Sequence, residues 1–172
     1  GAARDSERQA AMERVVADAG LSGEVAGGLL ALALVDATDP SAPRLAMLNG
    51  DRMMYAASMP KVAILLGALA EAEAGRLPIN SLTVAAMTNM IRFSSNVDAS
   101  RVLHWVGVDR LAEILQSARF ALYDRAGAGG LWVGKGYGSG PAMRRDPLHN
   151  LSHGATAYQV ARLYWMLAND RL

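Results

Sequence analysis

The stretch "PKVAILLGALAEAEAG", residues 60–75, constrains this chain more than any other segment. Pro60 suits a first helical turn, where its missing N–H costs nothing, and Gly75 suits the position just past the last turn. The helix between them is apolar almost all round. It has no face to give to water, so it is expected to be the buried central helix of a domain. Lys61 enters that helix at its mouth, where solvation is poor.

The flanking segments group around this helix. Residues 5–19 place Ala11, Val15 and Val16 on one face with charges opposite, and Gly20 ends an amphipathic helix there. Residues 24–49 read as a β-hairpin, with "DATDPSAP" as the turn cluster and Asn49-Gly50 closing the second strand. Shorter helices are expected over 82–92, 97–107 and 109–118, the last capped by Asp109. Residues 124–154 are Gly-rich and irregular, a length that is usually functional in a compact domain. A last helix spans about 155–168. The expected class is α+β: one domain over 1–172, with a helical region over 60–172. No repeat or linker divides it.

Composition excludes several functions. The 172 residues carry a formal net charge of +1, with both signs mixed along the chain. Nucleic-acid binding needs a basic stripe that is absent here. No apolar run is long enough to span a bilayer. With no Cys, disulfides and thiolate metal sites are ruled out. "GAARDSERQA" lacks an apolar signal core and reads as a mature start from which any export signal is gone.

Two stretches can carry chemistry. In "YAASMPKVAILL", Ser58 and Lys61 stand three residues apart, within reach of each other on one helix face. A serine hydroxyl becomes a nucleophile when a neighbouring base takes its proton, and a desolvated lysine can be that base. A helix N-terminus also suits a developing oxyanion. The alternative is a serine cap and a solvated lysine; among eleven serines the spacing alone is weak. In "RFSSNVDASRVL", Ser94, Ser95 and Asn96 lie between two helices. There Ser94 can relay a proton and Asn96 can hold a substrate amide, or the group is a double helix cap.

In order and setting, the two stretches resemble the penicillin-recognising serine hydrolases: class A β-lactamases and penicillin-binding D,D-peptidases. "SMPK" matches the family's Ser-x-x-Lys, and "SSN" its Ser-x-Asn, with Ser95 where class A enzymes carry Asp. The resemblance covers roughly residues 24–169. It implies that Ser58 is acylated, Lys61 is the base, Ser94 shuttles a proton and Asn96 binds the substrate amide. It further implies a β-lactam or a peptidoglycan stem peptide as substrate, no cofactor or metal, and a periplasmic or secreted location. A looser match, "RDPLHN", sets Asp146 and Asn150 at the spacing of the deacylating Glu-Pro-x-x-Asn loop. Read from the residues alone, a turn with Asp and Pro is the commoner outcome of such a stretch. His149 and His153 can complete a metal trio with Asp146 only on a helix, which Pro147 and Gly154 disfavour. Trp132, Gly136 and Tyr137 are expected to shape the loop.

The family's third element, Lys-Thr/Ser-Gly, and the strands that carry it are absent from this sequence. The fold expected is therefore the helical part of a β-lactamase/transpeptidase-like fold plus an N-terminal hairpin. The C-terminal half is expected in a separate or missing segment. Residues 24–36 are apolar on both faces, which predicts a strand buried on both sides. The activity implied is a serine β-lactamase-like hydrolase working through an acyl-enzyme, with this stretch of chain alone expected to hold only part of the catalytic site. Its alternatives are a D-alanyl-D-alanine peptidase, a non-catalytic binding scaffold, or a helical domain without acyl chemistry.

Overall fold

The computed structural model describes residues 2–140 and 144–172. Its internal contacts separate into two compact units, Gly1–Met53 with Thr156–Leu172, and Met54–Ala155. Among the described residues there are seven helices and several small sheets, a mixed α+β structure. No helix among them is long and apolar enough to cross a membrane.

The first unit opens with β1 (Ala3–Arg4) and α1 (Ser6–Asp18). Asp5 caps α1 by accepting the Arg8 N–H at 2.9 Å. A short α2 (Ser22–Ala26) follows, then β2 (Leu32–Asp36) and β3 (Arg44–Leu48). Strands β2 and β3 pair antiparallel from Leu32↔Leu48 to Asp36↔Arg44, and β1 adds a parallel strand on the other side of β3. The hairpin is thus real but starts at Leu32. The reason lies in Asn49, whose side-chain amide donates to the Val25 and Leu30 carbonyls at 2.7 and 2.9 Å. Those bonds fix the end of α2 and hold residues 27–31 as a loop, with Gly28 turning at φ 69°. The expected two-sided burial is also not observed: no β2 residue is fully buried, and Leu34 is 48% exposed. β2 is an edge strand, and α7 (Ala157–Ala168) lies against it.

The second unit is built on α3 (Lys61–Glu73), whose Val62, Ala63, Ile64, Leu66, Gly67 and Ala68 are all buried. Around it run α4 (Ser81–Arg92), α5 (Asn96–Val106) and α6 (Val108–Gln116). Gly67 admits the close approach of α6: a Cβ there would stand 2.7 Å from Leu111 Cδ1. Asp109 is not the cap of α6, which starts from Gly107 at φ 87°. Its carboxylate instead takes Arg144 at 2.5 Å.

The segment expected to be irregular carries four short strands: β5 (Tyr123–Asp124), β6 (Gly129–Gly130), β7 (Trp132–Val133) and β8 (His153–Ala155). Residues 141–143 of that segment lie outside the described residues. β8 is central in a sheet with β7 and β4 (Met54–Tyr55), so the region over 60–172 is not purely helical. Gly134 lets the returning chain through, since a Cβ there would meet the Arg144 carbonyl oxygen at 1.6 Å.

Glu71 ties α3 to α6 and to the turn after α3. It accepts from Arg76 Nε and Nη2 at 2.6 and 2.8 Å and from Arg110 Nε at 2.8 Å. The Arg76 hydrogen bonds come first among the causes that hold its carboxyl down at about 2. A carboxyl lowered in the folded state stabilises above its ordinary value of 4.5, and this is lost as pH falls toward 2. Glu71→Gln is expected to cost about 1.5–3 kcal/mol at neutral pH, nearer the lower end because both arginines are half-exposed. Urea midpoints should show the gap between variant and parent closing below pH 4.5; a pH-independent gap contradicts this assignment.

Candidate functional site

The chain leaves β4 through Ala56, whose N–H donates to the His153 carbonyl at 3.1 Å. Ala57 then adopts φ 45°, a left-handed conformation costing a residue with a Cβ about 1–2 kcal/mol. The turn continues with Met59 N–H to the Ala56 carbonyl and Lys61 N–H to the Ser58 carbonyl. Ser58 therefore sits on a tight turn before α3, not on the helix itself. The turn leaves Ser58 exposed, while Lys61 is only 3% exposed.

Four oxygens converge on Lys61 Nζ: Ser58 Oγ at 3.0 Å, Ser94 O at 2.5 Å, Ser94 Oγ at 2.8 Å and Asn96 Oδ1 at 2.8 Å. Ser94 presents both of its oxygens because it too is left-handed, at φ 53°, between α4 and α5. Ser95 is used differently, capping α5 through the Asp98 N–H. The two serine-bearing stretches thus meet at one atom, 33 residues apart in sequence.

The charge on that atom is poorly supported. Burial lowers the Lys61 amine from its ordinary value of 10.5. No carboxylate among the described residues forms an ion pair with it. Lys61 is also the first residue of α3, the positive end of the helix dipole. A neutral amine has two N–H groups, which suit the two obligate acceptors, Ser94 O and Asn96 Oδ1. Its lone pair is then left to accept from a serine hydroxyl.

Asp146 and Asn150 belong to a different cluster. The Asp146 side chain is fully buried and accepts from the Tyr123 hydroxyl, from His149 N–H at 2.6 Å and from His149 Nδ1 at 3.2 Å. Burial, then this carboxylate, raises the Tyr123 hydroxyl well above its ordinary value. The side-chain partner expected four residues on is replaced: Asn150 meets Asp146 through its backbone N–H, donating to the Asp146 carbonyl at 2.9 Å. None of the hydrogen bonds of Asp146 reaches Ser58, Lys61 or Ser94. His153 is turned elsewhere, donating from Nε2 to the Lys135 carbonyl at 3.1 Å. Among the described residues, no three His, Asp or Glu side chains gather as a metal site.

Tyr137 is the residue that sequence reasoning underrated. Its ring centroid lies 4.6 Å from Lys61 Nζ, and its hydroxyl donates to the Ala57 carbonyl at 3.1 Å. Only the neighbouring "GKGYGSG" marks it in the sequence, as a chain able to bend, and that gives no destination.

Comparison with protein-family models, with curated proteins and with solved structures finds no match.

Removing the Asp146 carboxylate would leave the buried Tyr123 hydroxyl and the His149 N–H without their acceptor. Asp146→Ala is expected to cost about 1–3 kcal/mol of stability, read from urea midpoints. An unchanged midpoint contradicts this structural role.

Proposed function

We propose that this chain is a serine acyl-transfer hydrolase that attacks the strained amide of a β-lactam through Ser58. The observation that carries the reading is the 3.0 Å contact between an exposed serine hydroxyl and a buried lysine amine that no carboxylate neutralises. As Ser58 Oγ bonds to the carbonyl carbon, its proton passes to the Lys61 lone pair. The Ser58 N–H makes no hydrogen bond to the described residues and is free to donate to the developing oxyanion. When the carbon–nitrogen bond breaks, the proton returns from Lys61 through Ser94 Oγ, 2.8 Å away, to the leaving nitrogen. Asn96 anchors the amide of the substrate. Water then adds to the Ser58 ester, releasing the acid and restoring the hydroxyl. The resemblance to the penicillin-recognising hydrolases supports this reading, as does the order of the two motifs. It extends to a β-lactamase-like fold and a periplasmic or secreted location.

One observation favours a second reading, a penicillin-binding D-alanyl-D-alanine peptidase with a long-lived acyl-enzyme. The Asp146 carboxylate already accepts from Tyr123 and twice from His149, so little of it is available to activate a deacylating water.

Denaturing intact-mass spectrometry after brief exposure to a penicillin tests the proposal. The expected result is one covalent addition on the peptide containing Ser58, absent in Ser58→Ala. The lifetime of the adduct separates the two readings: seconds for a lactamase, hours for a peptidase. No adduct, or one that persists in Ser58→Ala, overturns the proposal and favours a binding scaffold.

A further inference from the structure

We propose that Tyr137 is a positioning residue for the Ser58–Lys61 pair, its hydroxyl anchoring the turn that presents the serine and its ring face receiving the lysine cation. The inference rests on the acyl-transfer reading for its catalytic meaning, though the contacts stand without it. Ala57, the residue before Ser58, is held at φ 45°, and a conformation that costs free energy persists only where its surroundings over-determine it. Tyr137 supplies part of that hold: its hydroxyl donates to the Ala57 carbonyl at 3.1 Å. Ala56 is fixed from the other side by the His153 carbonyl.

The ring and its backbone are both held. His153 packs against it at 4.3 Å between centroids with the rings tilted by 40°, and Tyr55 meets His153 edge-on at 6.5 Å. Ser100 of α5 clamps the backbone, accepting the Tyr137 N–H at 2.8 Å and donating to its carbonyl at 3.3 Å. Lys61 Nζ lies over the ring at 4.6 Å, within the range at which a cation is attracted by an aromatic face. When Lys61 takes the proton of Ser58, an ammonium forms in a buried place with no carboxylate beside it. Among the described residues, the ring face is then the group near it whose attraction grows with that charge beyond the hydrogen bonds to Ser94 and Asn96.

The remaining titratable groups do not take over this role. His153, behind the ring, is lowered by burial first and also by the nearby Lys135 and Lys61 charges, which keeps it neutral. Burial raises the Tyr137 hydroxyl, so it supplies no anion at neutral pH, and Tyr55 meets the far side of the cluster through its edge-on contact with His153. Lys135 Nζ is directed to the Gly140 carbonyl at 2.5 Å.

The chain has only two lysines, Lys61 and Lys135, so NMR of protein labelled at lysine Cε gives two resonances. A Lys135→Arg sample assigns them. Tyr137→Leu keeps apolar bulk over the amine but removes the ring face. It should move the Lys61 titration midpoint down by about half a unit to one unit, the equivalent of a partly desolvated cation–π contact. Tyr137→Phe keeps the face and loses the anchor. Its midpoint should stay with the parent while acylation of Ser58 by a penicillin slows about 2- to 12-fold, the loss of one hydrogen bond. A Lys61 midpoint unmoved in folded Tyr137→Leu overturns the proposal, as does parental acylation in Tyr137→Phe. If the parent shows no acylation but the Lys61 midpoint moves in Tyr137→Leu, the ring contact stands and the acyl-transfer reading fails.

Discussion

A single buried amine organises the second unit. Lys61 Nζ meets four oxygens within 3.0 Å: as an ammonium it has three protons and no lone pair, so two oxygens share a proton, whereas as a neutral amine it donates twice and accepts from one hydroxyl. A buried ammonium is normally matched by a carboxylate, and here the match is a carbonyl, an amide and two hydroxyls. These partners satisfy a neutral amine as well as a charged one. That near-balance is what a base must have, because it has to accept a proton and give it back. Two left-handed residues, Ala57 and Ser94, carry the local strain that brings those oxygens in, and the helices α3, α4 and α5 hold the strain in place.

The Gly-rich segment after α6 completes the arrangement. Gly134 gives way to the Arg144 backbone, and the paired short strands β7 and β8 turn the chain so that Tyr137 and His153 pack together beside Lys61. The same segment buries Asp146 under Tyr123 and His149. Its irregular look therefore conceals two separate clusters. One faces the serine, and the other ties the loop to β5 through Tyr123.

How far this could be read from sequence depended on the range of the interaction. The helix over 5–19, the buried α3 and the pairing of Ser58 with Lys61 rest on contacts within a few residues, and local periodicity reveals those. The meeting of Ser94 and Asn96 with Lys61 was legible only because the motif order resembled a known arrangement. Tyr137 was not legible, because its bond to Ala57 spans 80 residues and no local pattern encodes it. The start of β2 was misjudged for a similar reason: Asn49 reaches back 24 residues to Val25 and diverts the chain from strand to loop. For Asp146, spacing suggested Asn150 as a side-chain partner, whereas the fold supplied Tyr123, a residue 23 positions upstream.

The most direct test of a lysine base is the pH dependence of Ser58 acylation, measured by mass spectrometry as an apparent second-order rate constant with a penicillin. Burial lowers the Lys61 amine, so the rate should rise along a single limb whose midpoint lies below 10.5. That midpoint should coincide with the NMR titration of Lys61 in the same protein. An acylation rate that is flat across the Lys61 titration, or that rises with a different midpoint, would contradict the account.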